Sequence, residues 1–563
     1  MDAMNLAETY RVEKQAATRA MAGVALISVI SSFCLLALPL YLFQVYDRVI
    51  ASRSLETLVA ITIIACVVLV VFSLLDTLRQ VLLARIGVRF EARVSGLFLT
   101  GELALPRGAS AGSLSQLAEL RKLIGSSIFP NLFDLPVMLL FLLLVFLIHP
   151  LLGGIVFGGM VLLLVVAAVG ELLTSGDVRA VEEASVSARK TLESHLRQHE
   201  TVRALGLYPQ TVAHWGRAQA KHLTTLLHLL ARASALSSTS KLVRQLLQIA
   251  MVGGGALLVL SDHVTPGIIF ATSIIASRAL APIEAIVGGW RQLKQGSIAL
   301  KKLDARVAAF TLPDRQTPLP RPTHSLTAER VVYIPAPGMP PILKGITGAI
   351  GAGQNVAIVG PSGAGKSTFA RMLIGFLEPT NGQILLDGQD MRTWDPVTRG
   401  IHMGYLPQQV GFFDGTVREN IARMRTDDPP ELAIEAARFV GIHDMIMRFP
   451  EGYDSVISES GFQPSGGQKQ LLGLARAYYG GPAFVVLDEP NASLDTEGEQ
   501  ILFATLKRAS AANIASIVVT QRLSLLHHVD KVLVLKGGQV DAYGNPSDVM
   551  PGKLVRPVPN KAS

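Results

Sequence analysis

Cysteine is almost absent from this chain of 563 residues, which contains only Cys34 and Cys66. Each lies inside an apolar run, so the sequence excludes a disulfide framework and a zinc site built on thiolates. Charged residues are also scarce at 17%, whereas 50% of the residues are hydrophobic and the mean hydropathy is +0.40. A chain of this length and composition is too apolar to be wholly soluble, which indicates a membrane part joined to a soluble part.

The net charge of +8 does not indicate a nucleic-acid-binding protein. The lysines and arginines are spread through segments that alternate with apolar runs, which is typical of cytoplasmic loops beside membrane spans. The first apolar run begins at Ala20, is too long for a signal-peptide core and is followed by further runs. We therefore expect contact with membrane lipid, no nucleic-acid partner, and a first span that stays in the mature protein.

Six uncharged runs, spaced as three helical hairpins, predict six membrane spans. The third and sixth runs are short for a hydrocarbon core that needs about 20 residues, so those helices are expected to extend across Asp134 and Arg278. The runs are 20–46, 57–75, 135–149, 151–170, 245–261 and 264–277.

The loops of the membrane part differ in length and charge. Those after the first, third and fifth spans are short, whereas 76–128 and 174–244 are long, basic and helical in pattern. Because basic loops stay in the cytoplasm, both termini are predicted there. We expect the long segments to continue the membrane helices into water and to turn near Gly112 and Gly206, where they would meet a cytoplasmic domain.

A proline-rich segment separates the two parts. Residues 311–324 contain four prolines and little to bury, which is typical of an extended linker. Beyond it, short β-branched runs alternate with amphipathic helical patterns, as in a soluble α/β domain. We predict a membrane domain at 1–310, a linker at 311–324, an α/β domain at 325–550 and a tail at 551–563.

A glycine-rich loop lies between a predicted strand at 355–359 and a predicted helix at 369–376, the context of a phosphate-binding loop. Its glycines let successive backbone N–H groups surround phosphate oxygens at a helix N-terminus. Lys366 is expected to neutralise the β- and γ-phosphates of ATP, and the Ser367 hydroxyl to ligate Mg²⁺. The loop comprises Gly360, Pro361, Ser362, Gly363, Ala364, Gly365, Lys366, Ser367 and Thr368.

An acidic pair at the end of a second apolar run complements this loop. The run 483–487 predicts a buried strand that leads into Asp488 and Glu489. We predict that Asp488 holds Mg²⁺ and that Glu489 is the general base for the attacking water. A simple acidic turn is the alternative, and the motif PSGGQ at 464–468 with the helix after it disfavours that alternative.

These motifs, in this order, resemble those of the ATP-binding cassette (ABC) transporters, whose signature motif is similar to PSGGQ. The resemblance covers essentially the whole chain. It implies an α-helical six-span transmembrane domain of the ABC exporter type and an α/β P-loop ABC nucleotide-binding domain. It also implies that Ser465 and Gly467, with Gly466 and Gln468 of the same motif, face ATP held by a second subunit, as a homodimer or as a heterodimer with a sister subunit.

The resemblance assigns Gln408 to the glutamine loop, which senses Mg²⁺, and Asp495 to the aspartate loop at the dimer seam. Two positions depart from the family pattern: Gln521 replaces the usual switch histidine, and Pro464 replaces a leucine. An amide can donate a hydrogen bond to the γ-phosphate but cannot carry a proton or a charge near neutrality. Pro464 lacks an N–H group and stiffens the signature turn. We therefore expect slow hydrolysis with nucleotide binding retained.

The adenine-binding position also departs from the family. Pro335 stands where a stacking aromatic residue is usual, and Tyr333 is the nearest aromatic candidate. Packing in the domain core is the alternative for Tyr333, and both interpretations stay open.

The strings LPLYLFQVYDRVIASRSLETL, FDLP, IHPLLG and RALAPIEAIVGGW resemble the type I secretion permease/ATPases, in the protease- and haemophore-exporter branch. This implies ATP-driven export of an unfolded polypeptide with an uncleaved C-terminal secretion signal across the bacterial inner membrane. It also implies a periplasmic membrane-fusion protein and an outer-membrane channel as partners. Residues 1–19 contain neither Cys nor His, so we expect no cleavage of a leader peptide by this chain.

Ionisable residues within the membrane part are candidates for function. Arg278 and Glu284 of the sixth span either line the translocation path or form a helix-end pair at the cytoplasmic headgroups. Asp47 and Asp134 are expected at helix interfaces or helix ends.

Other functions stay open on the sequence alone. An exporter of a lipid, a drug or a small peptide would use the same fold. A weakly hydrolysing regulatory subunit of a heterodimeric transporter would account for Gln521 and Pro464. The presence of both Asp488 and Glu489 argues against a scaffold that does not hydrolyse ATP.

Overall fold

The structure is a computed structural model that describes residues 6–105, 112–310, 319–458 and 461–549. The chain divides into two compact units, Met1–Leu312 and Pro313–Ser563. Most of the predicted linker and all of the predicted tail lie outside the described residues.

Every element that the structure describes in the first unit is helical. A π-helical turn, Val45–Val49, lies between α2 and α3. The helices are α1 (Leu6–Cys34), α2 (Ala37–Gln44), α3 (Ile50–Ser52), α4 (Leu55–Ala104), α5 (Gly112–Ile124), α6 (Asn131–Ile148), α7 (Pro150–Arg197), α8 (His199–Ala204), α9 (Tyr208–Leu260), α10 (Pro266–Gly288) and α11 (Trp290–Ala309).

Six stretches of the described chain are long and apolar enough to cross a membrane, so the six predicted spans are confirmed. The third includes Asp134 and the sixth includes Arg278, as expected from the short apolar runs. The stretches are Leu6–Ser52, Leu55–Ala104, Asn131–Ile148, Pro150–Arg197, Tyr208–Leu260 and Pro266–Gly288.

Three of these helices are far longer than a bilayer. The helices α4, α7 and α9 have 50, 48 and 53 residues, which at about 1.5 Å per residue exceed a hydrocarbon core of about 30 Å. The additional turns carry the charged segments beyond the membrane. The chain reverses between α8 and α9 at Gly206, whose φ of 63° is readily adopted by glycine.

Apolar side chains on the outside of the spans indicate a hydrocarbon environment. In α4, Ile63, Ile64 and Val70 are 58–62% exposed, which water would penalise and lipid does not. Inside the unit, α6, α7, α9 and α10 share an apolar core. Small residues bring these helices together: a Cβ at Gly159 would lie 2.1 Å from the Leu247 side chain.

The second unit contains both strands and helices. Short 3₁₀ turns connect some of them. The elements are β1 (Ser325–Tyr333), β2 (Leu343–Gly351), β3 (Asn355–Val359), α12 (Lys366–Leu373), β4 (Asn381–Leu386), β5 (Gln389–Asp390), α13 (Pro396–His402), β6 (Met403–Leu406), β7 (Gly415–Thr416), α14 (Val417–Ile421), α15 (Glu431–Val440), α16 (His443–Met447), β8 (Val456–Ile457), α17 (Gly466–Tyr478), β9 (Phe484–Asp488), α18 (Thr496–Ala511), β10 (Ala515–Val519), β11 (Lys531–Lys536), β12 (Gln539–Gly544) and α19 (Pro546–Val549).

Two larger sheets form the framework of this unit, beside the short pair β7-β8. One is antiparallel in the order β2-β1-β4-β5, and the other has the order β12-β11-β3-β10-β9-β6. In the second sheet β11, β3, β10, β9 and β6 are parallel, and β12 is an antiparallel edge strand. Parallel strands end at one edge of a sheet, so the residues after β3, β6, β9 and β10 lie close together.

The prediction for the helix after the phosphate-binding loop was wrong at both ends. The helix begins at Lys366, three residues before the predicted start, and ends at Leu373 instead of Phe376. Gly375 has a φ of 70°, and the Phe376 N–H donates to the Arg371 carbonyl over 2.9 Å. A glycine in the left-handed region, followed by an N–H that bonds back to the last turn, ends a helix. The sequence analysis missed this signal because Gly375 lies within a run of apolar residues.

Candidate nucleotide-binding site

The loop after β3 has the backbone geometry of a phosphate cradle. Gly360 and Gly365 have φ angles of 155° and 96°. A Cβ at Gly360 would lie 2.1 Å from the Leu535 carbonyl oxygen, so no larger residue fits there. The Lys366 Nζ donates to the carbonyl oxygens of Gly360 and Pro361 over 2.9 and 3.0 Å, and its side chain is buried.

A buried carboxylate lies beside the first turn of α12. The Ser367 hydroxyl donates to the Asp488 Oδ1 over 3.1 Å, and Asp488 is fully buried. Burial raises the pKa of Asp488, and the neighbouring negative charge of Glu489 raises it further. The hydrogen bond from Ser367 lowers this pKa but does not cancel the rise. Among the described residues, no donor reaches the buried Oδ2. A hydroxyl beside a carboxylate oxygen without a donor fits a hard cation such as Mg²⁺.

Two amides hold the Glu489 side chain. The Gln521 Nε2 donates to Oε1 over 2.7 Å, and the Gln408 Nε2 donates to Oε2 over 2.9 Å. The structure thus brings together the three predicted catalytic residues, although they lie far apart in sequence. Gln408 contacts the predicted base, and the metal contact proposed for it stays a prediction.

The backbone at Glu489 is strained. Its φ of 51° lies in the left-handed region, which a residue with a side chain avoids. The Glu489 N–H donates to the Val519 carbonyl over 2.9 Å, so the end of β10 fixes this conformation. A strained backbone persists only where surrounding contacts maintain it, and such residues are concentrated at functional sites.

The PSGGQ turn forms the N-terminus of α17. The Ser465 hydroxyl accepts from the Gln468 N–H, and the Gln468 side chain accepts from the Ser465 N–H over 2.8 Å, which is a capping box. Pro464 precedes the cap, so its missing N–H removes none of these bonds. Ser465 and Gly466 are exposed, as an anion-binding turn requires.

Asp495 caps the next helix. Its carboxylate accepts from the Gly498 N–H over 2.8 Å at the start of α18. Asp495 is exposed, and the predicted seam contact stays a prediction. A Cβ at Gly467 would lie 3.2 Å from the Ser493 carbonyl oxygen, so the signature turn packs against the loop that precedes Asp495.

Comparisons with known proteins agree with this geometry. The chain matches the family model for the ABC transporter transmembrane region over residues 21–280 and the model for the ABC transporter over residues 343–492. It is 32% identical to the type I secretion system ATP-binding protein PrsD of Rhizobium meliloti (strain 1021), over 96% of this chain and 93% of that protein. The chain belongs to the ABC transporter family.

Further comparisons place this transporter within the family. It is 26% identical to the cyclolysin secretion/processing ATP-binding protein CyaB of Bordetella pertussis, over 93% of this chain and 74% of that protein. A solved bacterial Atm1-family ABC exporter with ATP bound has the same fold, with a TM-score of 0.83, 23% identity, and coverage of 94% and 96% of the two chains. The predicted resemblance to type I secretion ATP-binding proteins, the exporter fold and the multi-pass inner-membrane location are confirmed. The transporter is an ATP hydrolase that couples ATP to transport.

Tyr333 lies at the end of β1 in this transporter. Its side chain packs partly buried against the core between the two sheets, and its carbonyl accepts from the Ile342 N–H over 2.8 Å. The ring is only partly buried, so the adenine-stacking role of Tyr333 stays a prediction.

Charged residues of the membrane unit have partners that the sequence did not reveal. Glu284 pairs with Arg244 of α9 over 2.8 Å instead of with Arg278, which is exposed. Arg79 of α4 pairs with Asp134 of α6 over 2.9 Å, which confirms Asp134 as an interface residue.

The sequence analysis also missed Gln470. This buried residue of α17 donates from Nε2 to the Glu489 carbonyl over 3.3 Å, so the helix of the signature turn contacts the strained backbone. The only available signal was a polar residue in the apolar part of that helix.

Proposed function

We propose that this transporter exports an unfolded polypeptide across the inner membrane as the energising component of a type I secretion system. The observation that carries the proposal is the similarity to PrsD, which spans both units and nearly the full length of both chains. Relatives named for cyclolysin and leukotoxin export support a polypeptide cargo over a lipid or a drug. We also propose that the exported polypeptide carries a C-terminal secretion signal. The proposed partners of the transporter are a periplasmic membrane-fusion protein and an outer-membrane channel.

The proposed ATP site uses residues of one chain and the signature turn of a second copy. The exposed cap at Ser465 and Gly466 supports this arrangement, since it leaves N–H groups of α17 open to an anion. Lys366 would exchange its carbonyl partners for the β- and γ-phosphates, which are stronger acceptors. A homodimer is the simplest assembly, and a sister subunit with its own signature turn is the alternative.

Mg²⁺ fits the site between Ser367 and Asp488. Bound there, the ion would neutralise charge on the phosphate oxygens. Glu489 would accept a proton from the attacking water at one of its carboxylate oxygens. The amides of Gln408 and Gln521 keep that carboxylate oriented, and one amide hydrogen of Gln521 remains for the γ-phosphate.

Slow hydrolysis is a second element of the proposal, and the Gln521 contact supports it. The amide already donates to Glu489 and, unlike imidazole, adds no positive charge to the site. The capping box forms although Pro464 has no N–H group, which supports Gln521 as the main cause of the deficit; slowing by Pro464 stays a prediction.

Deletion of the gene, followed by comparison of the extracellular proteins, tests the proposed function. We expect one or a few proteins to disappear from the medium and to return when the wild-type gene is supplied. A Glu489→Gln gene should fail to restore them, and a gene with a Gln383→His change, at a partly exposed position, should succeed. An unchanged set of extracellular proteins, with altered lipid or drug tolerance instead, would contradict polypeptide export.

A further inference from the structure

The first and sixth spans are joined at their outer ends by one carboxylate. Asp47 lies in the π-helical turn Val45–Val49, and one of its oxygens accepts from the Gly267 N–H over 2.8 Å. The Thr265 hydroxyl donates to its other oxygen. The C-terminal end of α10 leads through α11 towards the cytoplasmic ATP-binding unit, so its N-terminal end lies on the outer side of the membrane. Asp47 contacts that N-terminal end and therefore lies on the same side.

Asp47 caps α10 from another part of the chain. The residue in the N-cap position, Thr265, makes no side-chain bond to its own helix, and Pro266 follows it without an N–H group. The first backbone donor of α10 is therefore Gly267, and that donor bonds to Asp47. A negative charge at this end of a helix is also favoured by the helix dipole.

Two further features are matched to this contact. A Cβ at Gly267 would lie 2.5 Å from the Asp47 Oδ1, so the carboxylate approaches only because residue 267 is glycine. Beside it, the rings of Tyr46 and Phe270 stack with centroids 4.3 Å apart and an angle of 12°. The π-helical turn inserts an extra residue into the helix, which sets the direction of Tyr46 and Asp47.

The N-terminus of α10 has two alternative caps. With Asp47 in place, the Thr265 hydroxyl serves as a donor to that carboxylate. If the spans separate, the Thr265 hydroxyl oxygen is free to accept a hydrogen bond from a backbone N–H in the first turn of α10, as threonine does at an N-cap. Asp47 then becomes hydrated. Neither state leaves the end of the helix without a partner, so the contact can break and reform.

We infer that Asp47, Thr265 and Gly267 form a latch that closes the outer gate of the transporter and opens when ATP is bound. The closed state is held by the cap from Asp47, and the open state by the cap from Thr265. Loss of an N-cap bond changes an equilibrium by roughly 2- to 30-fold, which is enough to bias a gate without locking it.

The test measures crosslinking between the two outer ends in the full-length transporter. Cys34 and Cys66 are replaced by serine, and Tyr46→Cys with Phe270→Cys supplies the thiol pair for a short crosslinker. We expect fast crosslinking without nucleotide and at least threefold slower crosslinking with Mg²⁺ and a non-hydrolysable ATP analogue. Equal rates in both conditions would overturn the inference.

Matched variants in this background test the residues themselves. Asp47→Ala and Gly267→Ala should each slow crosslinking without nucleotide by roughly 2- to 30-fold. Their controls are Arg48→Ala, an exposed charge in the same turn, and Gly253→Ala, where a Cβ would meet no atom of the described chain within 4 Å. Nucleotide binding and thermal stability monitor folding. If the variants and their controls crosslink at the same rate while all bind nucleotide, the latch assignment is wrong.

Discussion

Replacing Gln521 by histidine tests the role of the switch position directly. The 2.7 Å distance between Gln521 Nε2 and Glu489 Oε1 places a donor at this position within reach of the predicted base. A neutral hydrogen bond contributes about 1 kcal/mol and a charged one about 1.5–3 kcal/mol. If the added charge on the donor contributes that difference of about 0.5–2 kcal/mol, Gln521→His should raise kcat by roughly 2- to 30-fold, with KM for ATP changed less than about threefold.

The pH dependence of the variant gives a second readout. Beside the Glu489 carboxylate, a histidine should have a pKa above its usual value of about 6.5. Its charged form is present below that raised pKa and is lost as the pH rises through it. The gain of Gln521→His should therefore be large at pH 6.5 and small at pH 8.5, whereas an amide adds no titration of its own.

The assay is steady-state ATP hydrolysis by the purified transporter across this pH range. Gln383→His is the matched control, because Gln383 makes the same kind of bond, Nε2 to the Glu329 Oε2 over 2.8 Å, on the exposed surface of the same unit. Gln521→His and wild-type proteins with equal kcat at pH 6.5 would refute the idea that the switch position limits hydrolysis.

Three further predictions follow from the described contacts. Glu489→Gln should lower kcat at least about 100-fold and leave ATP binding intact, as measured by hydrolysis and equilibrium binding. Asp488→Asn should stabilise the nucleotide-free protein at pH 7.5 by about 1–3 kcal/mol, because it removes a buried charge whose Oδ2 receives no hydrogen bond from any described residue. Since the pKa of Asp488 is raised, the gain should shrink as the pH falls, and a lower unfolding midpoint at pH 7.5 would contradict this prediction. Arg79→Ala should destabilise the membrane unit by about 3–5 kcal/mol, as seen in detergent unfolding, and the double variant with Asp134→Leu should recover part of that loss.

The elements that the sequence predicted well are those defined by local patterns. The strand 355–359 was predicted with both ends correct, because a β-branched run is bounded by a glycine turn and by the loop glycines. The six spans follow from uncharged runs, since the bilayer requires a minimum apolar length. These features depend on neighbouring residues and need no knowledge of the tertiary structure.

The features that the sequence did not reveal depend on distant neighbours. The π-helical turn at Val45–Val49 lies in a continuous apolar helix pattern, which carries no signal for one inserted residue. The partner of Asp134 is 55 residues away, at Arg79, and pairing across helices requires their packing. The helix ending at Leu373 was missed because glycine tolerates both helical and left-handed angles.

The amides around Glu489 show how strand order creates a site. In the sheet, β9 lies between β10 and β6, so the residues that follow these two strands flank the residue after β9 on both sides. Gln521 comes from the β10 side and Gln408 from the β6 side, and each donates to one carboxylate oxygen. Any donor at position 521 meets Glu489 for this reason, whether it is an amide or an imidazole. The substitution of glutamine for histidine therefore preserves the orientation of the base and removes only the charge that imidazole can carry, so its effect is expected on the rate of hydrolysis and not on the assembly of the site.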